Sequence, residues 1–129
     1  AAGGCQAEIG SASAMAAGGV AYLMGGDAVQ ISHAAALALK NLLGLACDPV
    51  AGLVEVPCVK RNVMGAVNAM TSSDMVMAGI TSKIPPDEVI DAMRAIGRSM
   101  SEDIRETGKG GLAGTPTGVA IRERMAGTL

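Results

Sequence analysis

The chain has 129 residues, with 10 Lys+Arg against 12 Asp+Glu and a formal charge of −2. That length suits a single domain, residues 1–129, and the near-neutral balance with no Trp, no Phe and one Tyr, Tyr22, argues against a basic, ring-bearing nucleic-acid surface. With 23 Ala and 18 Gly, the interior has to come from closely packed backbones rather than aromatic rings.

Charge is unevenly spread. Residues 1–59 carry five charged side chains, Glu8, Asp27, Lys40, Asp48 and Glu55, and residues 60–129 carry the other 17. The first half therefore reads as interior that expects covering partners, the second as partly solvated. The uncharged run from Ile9 to Gly26 has 18 residues, the length of a membrane span, but is mostly Ala, Gly and Ser. No Lys/Arg cluster or aromatic belt flanks it, so a buried helix of a non-membrane protein is expected. No basic segment precedes an apolar core as in a signal peptide, which makes the cytoplasm the expected compartment. The start at Ala1, inside an apolar run, suggests a piece of a larger polypeptide.

In chain order the pattern predicts an all-α fold, with Ala/Gly-rich helices packed around an irregular cysteine-bearing loop. A first helix is expected over 6–24, with Gly18 and Gly19 inside it as a place for a neighbour to approach. Asp27 is a good N-cap, and Gln30 three residues on completes a capping-box pattern for a helix over 27–44. Its stripe is Ile31, Ala35, Leu39 and Leu42, and it should stop near Gly44. Pro49, Gly52 and Pro57 then break any long helix, so 45–59 reads as a loop. A Met-rich helix follows over 60–79. Pro86 suits the first turn of a last helix over 86–107, with Asp87, Glu88 and Asp91 favourable against its dipole. Its stripe is Val89, Met93, Ile96, Met100 and Ile104, and Gly108 opens a Gly-rich turn over 108–118.

The three cysteines, Cys5, Cys47 and Cys58, are an odd set, which argues against a disulfide framework. No pair has zinc-finger spacing. Each has a Gly or Pro within two residues, and irregular backbone beside a thiolate offers N–H groups to sulfur, which suits a metal cluster. Three buried cysteines acting as small hydrophobes fit the same spacing. Spacing alone does not decide between them.

The segments around these cysteines carry a resemblance. Gly4-Cys5-Gln6-Ala7-Glu8-Ile9-Gly10-Ser11 resembles the first cysteine motif of the iron–sulfur-dependent L-serine dehydratases, and the stretch from Leu43 to Cys58, with Cys47-Asp48-Pro49 at its centre, resembles their second and third. Arg61-Asn62 and Arg105-Glu106-Thr107-Gly108-Lys109-Gly110-Gly111-Leu112 look like later blocks of that family. The resemblance implies that Cys5, Cys47 and Cys58 hold a [4Fe–4S] cluster with one iron left open as a Lewis acid. It implies a lyase that dehydrates and deaminates L-serine to pyruvate and ammonia without pyridoxal phosphate. A non-catalytic helical assembly module and a related cluster-dependent cysteine desulfidase are the alternatives.

Single-chain members carry a His shortly before the second cysteine block and a C-terminal Cys. Here those places read Lys40-Asn41-Leu42-Leu43 and Met125-Ala126-Gly127-Thr128-Leu129, which resembles the α chain of the two-chain type. The resemblance then covers about the C-terminal half of an α chain, whose N-terminal part and β chain are the implied partners in an oligomer. The N-terminal part would supply further substrate contacts, so residues 1–129 alone are expected to be inactive.

Among the remaining polar residues, Asn62 is close enough to Cys58 to line the site, by resemblance. Lys109 is a candidate for the substrate carboxylate, set in a Gly-rich loop that either presents N–H groups to an anion or simply turns the chain. That loop lacks the Walker A pattern, since Asp103 stands at its first Gly position and Gly110 follows Lys109. His33, among Ala34, Ala35 and Ala36, is expected to be a packed or surface residue and not a base. Asp48 and Glu8 read as buried acids that need partners, with Arg61 or Lys60 at hand. The nine Met are expected to fill the core.

Overall fold

The computed structural model describes residues 2–127. A π-helical turn, Gln6–Gly10, runs straight into α1, Ser11–Leu23. Then come α2, Ala28–Lys40; α3, Cys58–Met77; α4, Pro86–Ser99; and α5, Pro116–Ala126. Short 3₁₀ turns at Val50–Gly52, Glu102–Ile104 and Gly111–Gly114 punctuate the connections. The fold is all-α, and the only strand-like feature among the described residues is an isolated parallel bridge between Cys47 and Arg105.

Helices α1, α2 and α3 pack into one core of small residues: Ala17, Ala21, Ala34, Leu37, Ala38, Ala69 and Val76. With Ala at these positions the axes come close enough for side chains to bond across to backbone carbonyls. Ser13 Oγ donates to Gly65 O at 2.7 Å, and Ser73 Oγ donates to Ala17 O at 2.8 Å. At Gly65 of α3, an added Cβ would stand 2.9 Å from Cγ2 of Ile9 in the π-helical turn. Of the two glycines expected at a contact, Gly18 is buried against Ile31 of α2, with ordinary van der Waals room for a Cβ, and Gly19 faces open space.

Asp27 caps α2 through the reciprocal box expected, with Gln30 N donating to Asp27 Oδ1 at 2.8 Å and Asp27 N to Gln30 Oε1 at 2.9 Å. Ala35 and Leu39 of its stripe pack with Val89 of α4, whereas Ile31 packs on the α1–α3 core and Leu42 beside Cys5 and Ile9. His33 is half-buried, its Nδ1 accepting from Ser82 N at 3.0 Å.

Two differences from the expected elements have local causes. The helix begun at Pro86 ends at Ser99 rather than 107, and Met100 is extended. Beyond it, Ile104 O accepts from Cys47 N and Glu106 N donates to Cys47 O, both at 2.9 Å, pairings a continuing helix would forbid. The Gly-rich segment, expected as a loop, leads into α5, capped by Thr115, whose Oγ1 accepts from Gly118 N at 3.1 Å, with Pro116 in the first turn. No helix among the described residues is long and apolar enough to cross a membrane.

Candidate metal centre

The three cysteines come from three elements, and backbone pairings bring them together. Cys5 opens the π-helical turn, and the next residue ties it to the loop, Gln6 N donating to Leu45 O at 3.0 Å. The Gln6 side chain is fully buried: its Nε2 donates to Met93 O at 2.9 Å and its Oε1 accepts from Gly44 N at 3.0 Å. One amide thus fixes α4, the exit of α2 and the Cys5 turn to each other. Cys47 is held on both sides by Ile104 and Glu106 through the bridge described above. Cys58 is the first residue of α3, and its carbonyl accepts from Asn62 Nδ2 at 2.9 Å.

Cys5, Cys47 and Cys58 all line one cavity of about 370 Å³, together with Glu8, Asn62 and Glu106. Cys5 and Cys47 are buried and Cys58 is half-buried. Burial, helped by hydrogen-bond contact with Cys47, pushes the Cys5 thiol up from its ordinary 9.0 to about 12, with Arg61 opposing. Burial also raises the Cys58 thiol, and the nearby Cys47 adds to it. A low-dielectric site disfavours bare thiolates, so burial favours the protonated form of Cys5 and Cys58.

Among the described residues, no three His, Cys, Asp or Glu side chains converge closely enough to hold a single metal ion. A polynuclear cluster makes a different demand, because each thiolate binds its own iron. Three sulfurs spread around one cavity are a donor set that fits such a group.

Asp48, beside Cys47, is the anchor of this region. Its Oδ1 takes Arg61 Nη1 at 2.6 Å, the same Nη1 donates to Ala46 O at 2.8 Å, and its Oδ2 accepts from Leu112 N at 2.8 Å. The ion pair expected with Arg61 is therefore present and also draws in the Gly-rich segment. Gly111 has φ +60°, and a Cβ there would collide with Asp48, so glycine alone fits. Glu8 departs from expectation: it is exposed at the cavity and is not a buried acid.

Of the two residues expected to meet substrate, Asn62 lies in the cavity lining, whereas Lys109 is exposed and outside it. Neither Glu8 nor Glu106 was expected at the site, and both face the cavity. Glu106 has φ +74° in an irregular segment, so no helical or strand periodicity could have pointed to it.

This arrangement sits in a chain that a family profile for "Serine dehydratase alpha chain" matches over residues 1–113. The probable L-serine dehydratase alpha chain of Latilactobacillus sakei is 62% identical over 125 residues, covering 97% of this chain and 60% of that one. The corresponding protein of Bacillus subtilis is 63% identical over 127 residues, covering 98% and 42%. The L-serine dehydratase alpha chain of Peptoniphilus asaccharolyticus is 55% identical over 120 residues, covering 93% and 41%. The chain thus spans between 41% and 60% of the length of these curated relatives. With the match running through all three cysteine segments, the chain belongs to the serine dehydratase alpha chain family.

Proposed function

We propose that the chain supplies the cluster-binding part of an L-serine dehydratase α chain, acting with a β chain to convert L-serine to pyruvate and ammonia. The observation that carries this reading is the meeting of Cys5, Cys47 and Cys58, far apart in sequence, on one cavity in a member of that family. These three residues would hold a [4Fe–4S] cluster, and when bound it supplies an open iron, a Lewis acid that helps the substrate's hydroxide to leave.

The chain's own polar groups serve the rest of the substrate. Glu8 and Glu106 are the carboxylates that reach the cavity, and either can pair with the serine ammonium. Asn62 spends one amide hydrogen on Cys58 O and keeps its second N–H and its Oδ1 for the substrate carboxylate or a water. Val54 and Val59 give the same cavity an apolar side. Lys109 would have to reach substrate from outside this lining. The general base is left to residues the longer polypeptide and its partner supply, or to one of the two glutamates.

The test is iron and acid-labile sulfide per chain in the full-length protein purified anaerobically, beside a Cys47→Ala variant. About four of each, dropping sharply in the variant, is the expected result. Absence of iron from the full-length protein would sink the reading and leave a helical assembly module. Pyruvate from serine, compared with product from threonine and cysteine, separates the dehydratase from a cysteine desulfidase.

A further inference from the structure

A second cavity, of about 490 Å³, lies between α4 and the segment preceding the π-helical turn. Three arginines are among its lining residues: Arg94, Arg98 and Arg105. Arg94 and Arg98 are one helical turn apart, so they share a face of α4, and Arg105 enters from the irregular segment beyond that helix. Three like charges around a concavity repel one another and concentrate a positive potential there.

The protein supplies little to offset that potential. Arg94 pairs with Asp91 at 3.3 Å, but both side chains are mostly exposed, where such pairs contribute little. Arg105 reaches Glu102 only at 4.0 Å, and Glu102 is almost wholly in solvent. Arg98 has no acidic partner among the described residues. The Nε of Arg105 is buried with no hydrogen-bond acceptor, an orphaned donor of the kind that calls for an unseen partner. Helix polarity accounts for Arg98 in the last turn of α4, but not for Arg105 or for the cavity. The floor is bare backbone, since a Cβ on Gly97 would stand 3.2 Å from Gly3 Cα, and Ile90 and Met93 form apolar walls.

We propose that this cavity binds a small multivalent oxyanion, a phosphate or a polycarboxylate, held by Arg94, Arg98 and Arg105. Planar guanidinium groups match the oxygen geometry of either group, and three of them suit more than one negative charge. The inference is independent of the lyase reading, because the cavity shares no residue with the cysteine cavity.

The experiment is calorimetric titration of the assembled protein that carries this chain with inorganic phosphate and, separately, with citrate, both at matched ionic strength. Saturable binding is expected for at least one of the two, and which one identifies the source as phosphate or carboxylate. Arg98→Gln and Arg94→Gln, both at exposed positions of α4, should each weaken it by about tenfold, with unchanged melting temperatures. No saturable binding of either anion overturns the proposal. So does binding that both substitutions leave unaltered, because the anion would then sit elsewhere.

Discussion

Asp48 illustrates how much of this molecule hangs on single side chains. Buried beside Cys47, it joins α3, through Arg61, to the Gly-rich segment, through Leu112 N. Asp48→Ala strands the Arg61 guanidinium and a main-chain N–H together, and removing one member of a buried pair costs about 3 kcal/mol or more. Chemical denaturation should show that loss, and a change below about 1 kcal/mol would mean water takes over both donors. The cysteines differ from one another at this scale too. In metal-free protein at pH 8, iodoacetamide should modify half-buried Cys58 first and Cys5 last. Cys5 is 2% exposed and its thiol is raised to about 12, so both access and thiolate fraction are low at pH 8, and its rate should keep climbing with pH where that of an ordinary thiol has levelled off. Mass spectrometry of partially alkylated protein gives the order directly; Cys5 reacting first would contradict the buried placement of the π-helical turn.

At the scale of elements, the small-residue helices make a paired prediction. Gly65 sits where α3 meets Ile9, so Gly65→Ala overpacks the contact and should cost about 1–3 kcal/mol. Gly19 lies mid-helix with open space around it, so Gly19→Ala should add about 0.5–1 kcal/mol from helix propensity. Thermal melts of the two variants should move in opposite directions. The pair also marks what was legible in the sequence and what was not. The Asp27–Gln30 box is encoded by adjacent residues and reads correctly, as do the existence and type of the four longer helices. Which glycine makes a helix contact depends on the rotation of α1 against α3, and that is a tertiary property. The overlong fourth helix has the same origin: Met100 and Ile104 continue the apolar period, but the Cys47 backbone competes for Ile104 O and Glu106 N and wins. α5 was hidden for the opposite reason. Its Thr115-Pro116 start is a clear signal, but the Gly-rich run before it and the lack of a strong apolar stripe obscured the helix that follows. For the site, motif resemblance pointed to the three cysteines and Asn62, while Glu8 and Glu106 needed the fold to bring them to the cavity.

Across the whole molecule, the outer side of α3 is strongly apolar. Val59, Val63, Val67 and Met70 recur at helical spacing and each is more than half exposed. At its start this stripe meets Leu53, Val54 and Val56, also exposed, so apolar surface extends to the rim of the cysteine cavity, where Val54 and Val59 are lining residues. A contiguous apolar area of this kind is rarely left open to water. Since the curated relatives are longer than this chain, a cover over α3 would also close the cysteine cavity and shield whatever the thiolates hold. The 129-residue chain by itself should therefore bind a hydrophobic dye and self-associate. Val63→Glu with Val67→Glu, both on the solvent side of α3, should reduce both effects and leave the helical content unchanged. Sedimentation velocity with dye fluorescence tests this. A monomer that binds no dye before substitution would mean that the stripe tolerates water, and the argument for a cover over the cavity would lose its physical basis.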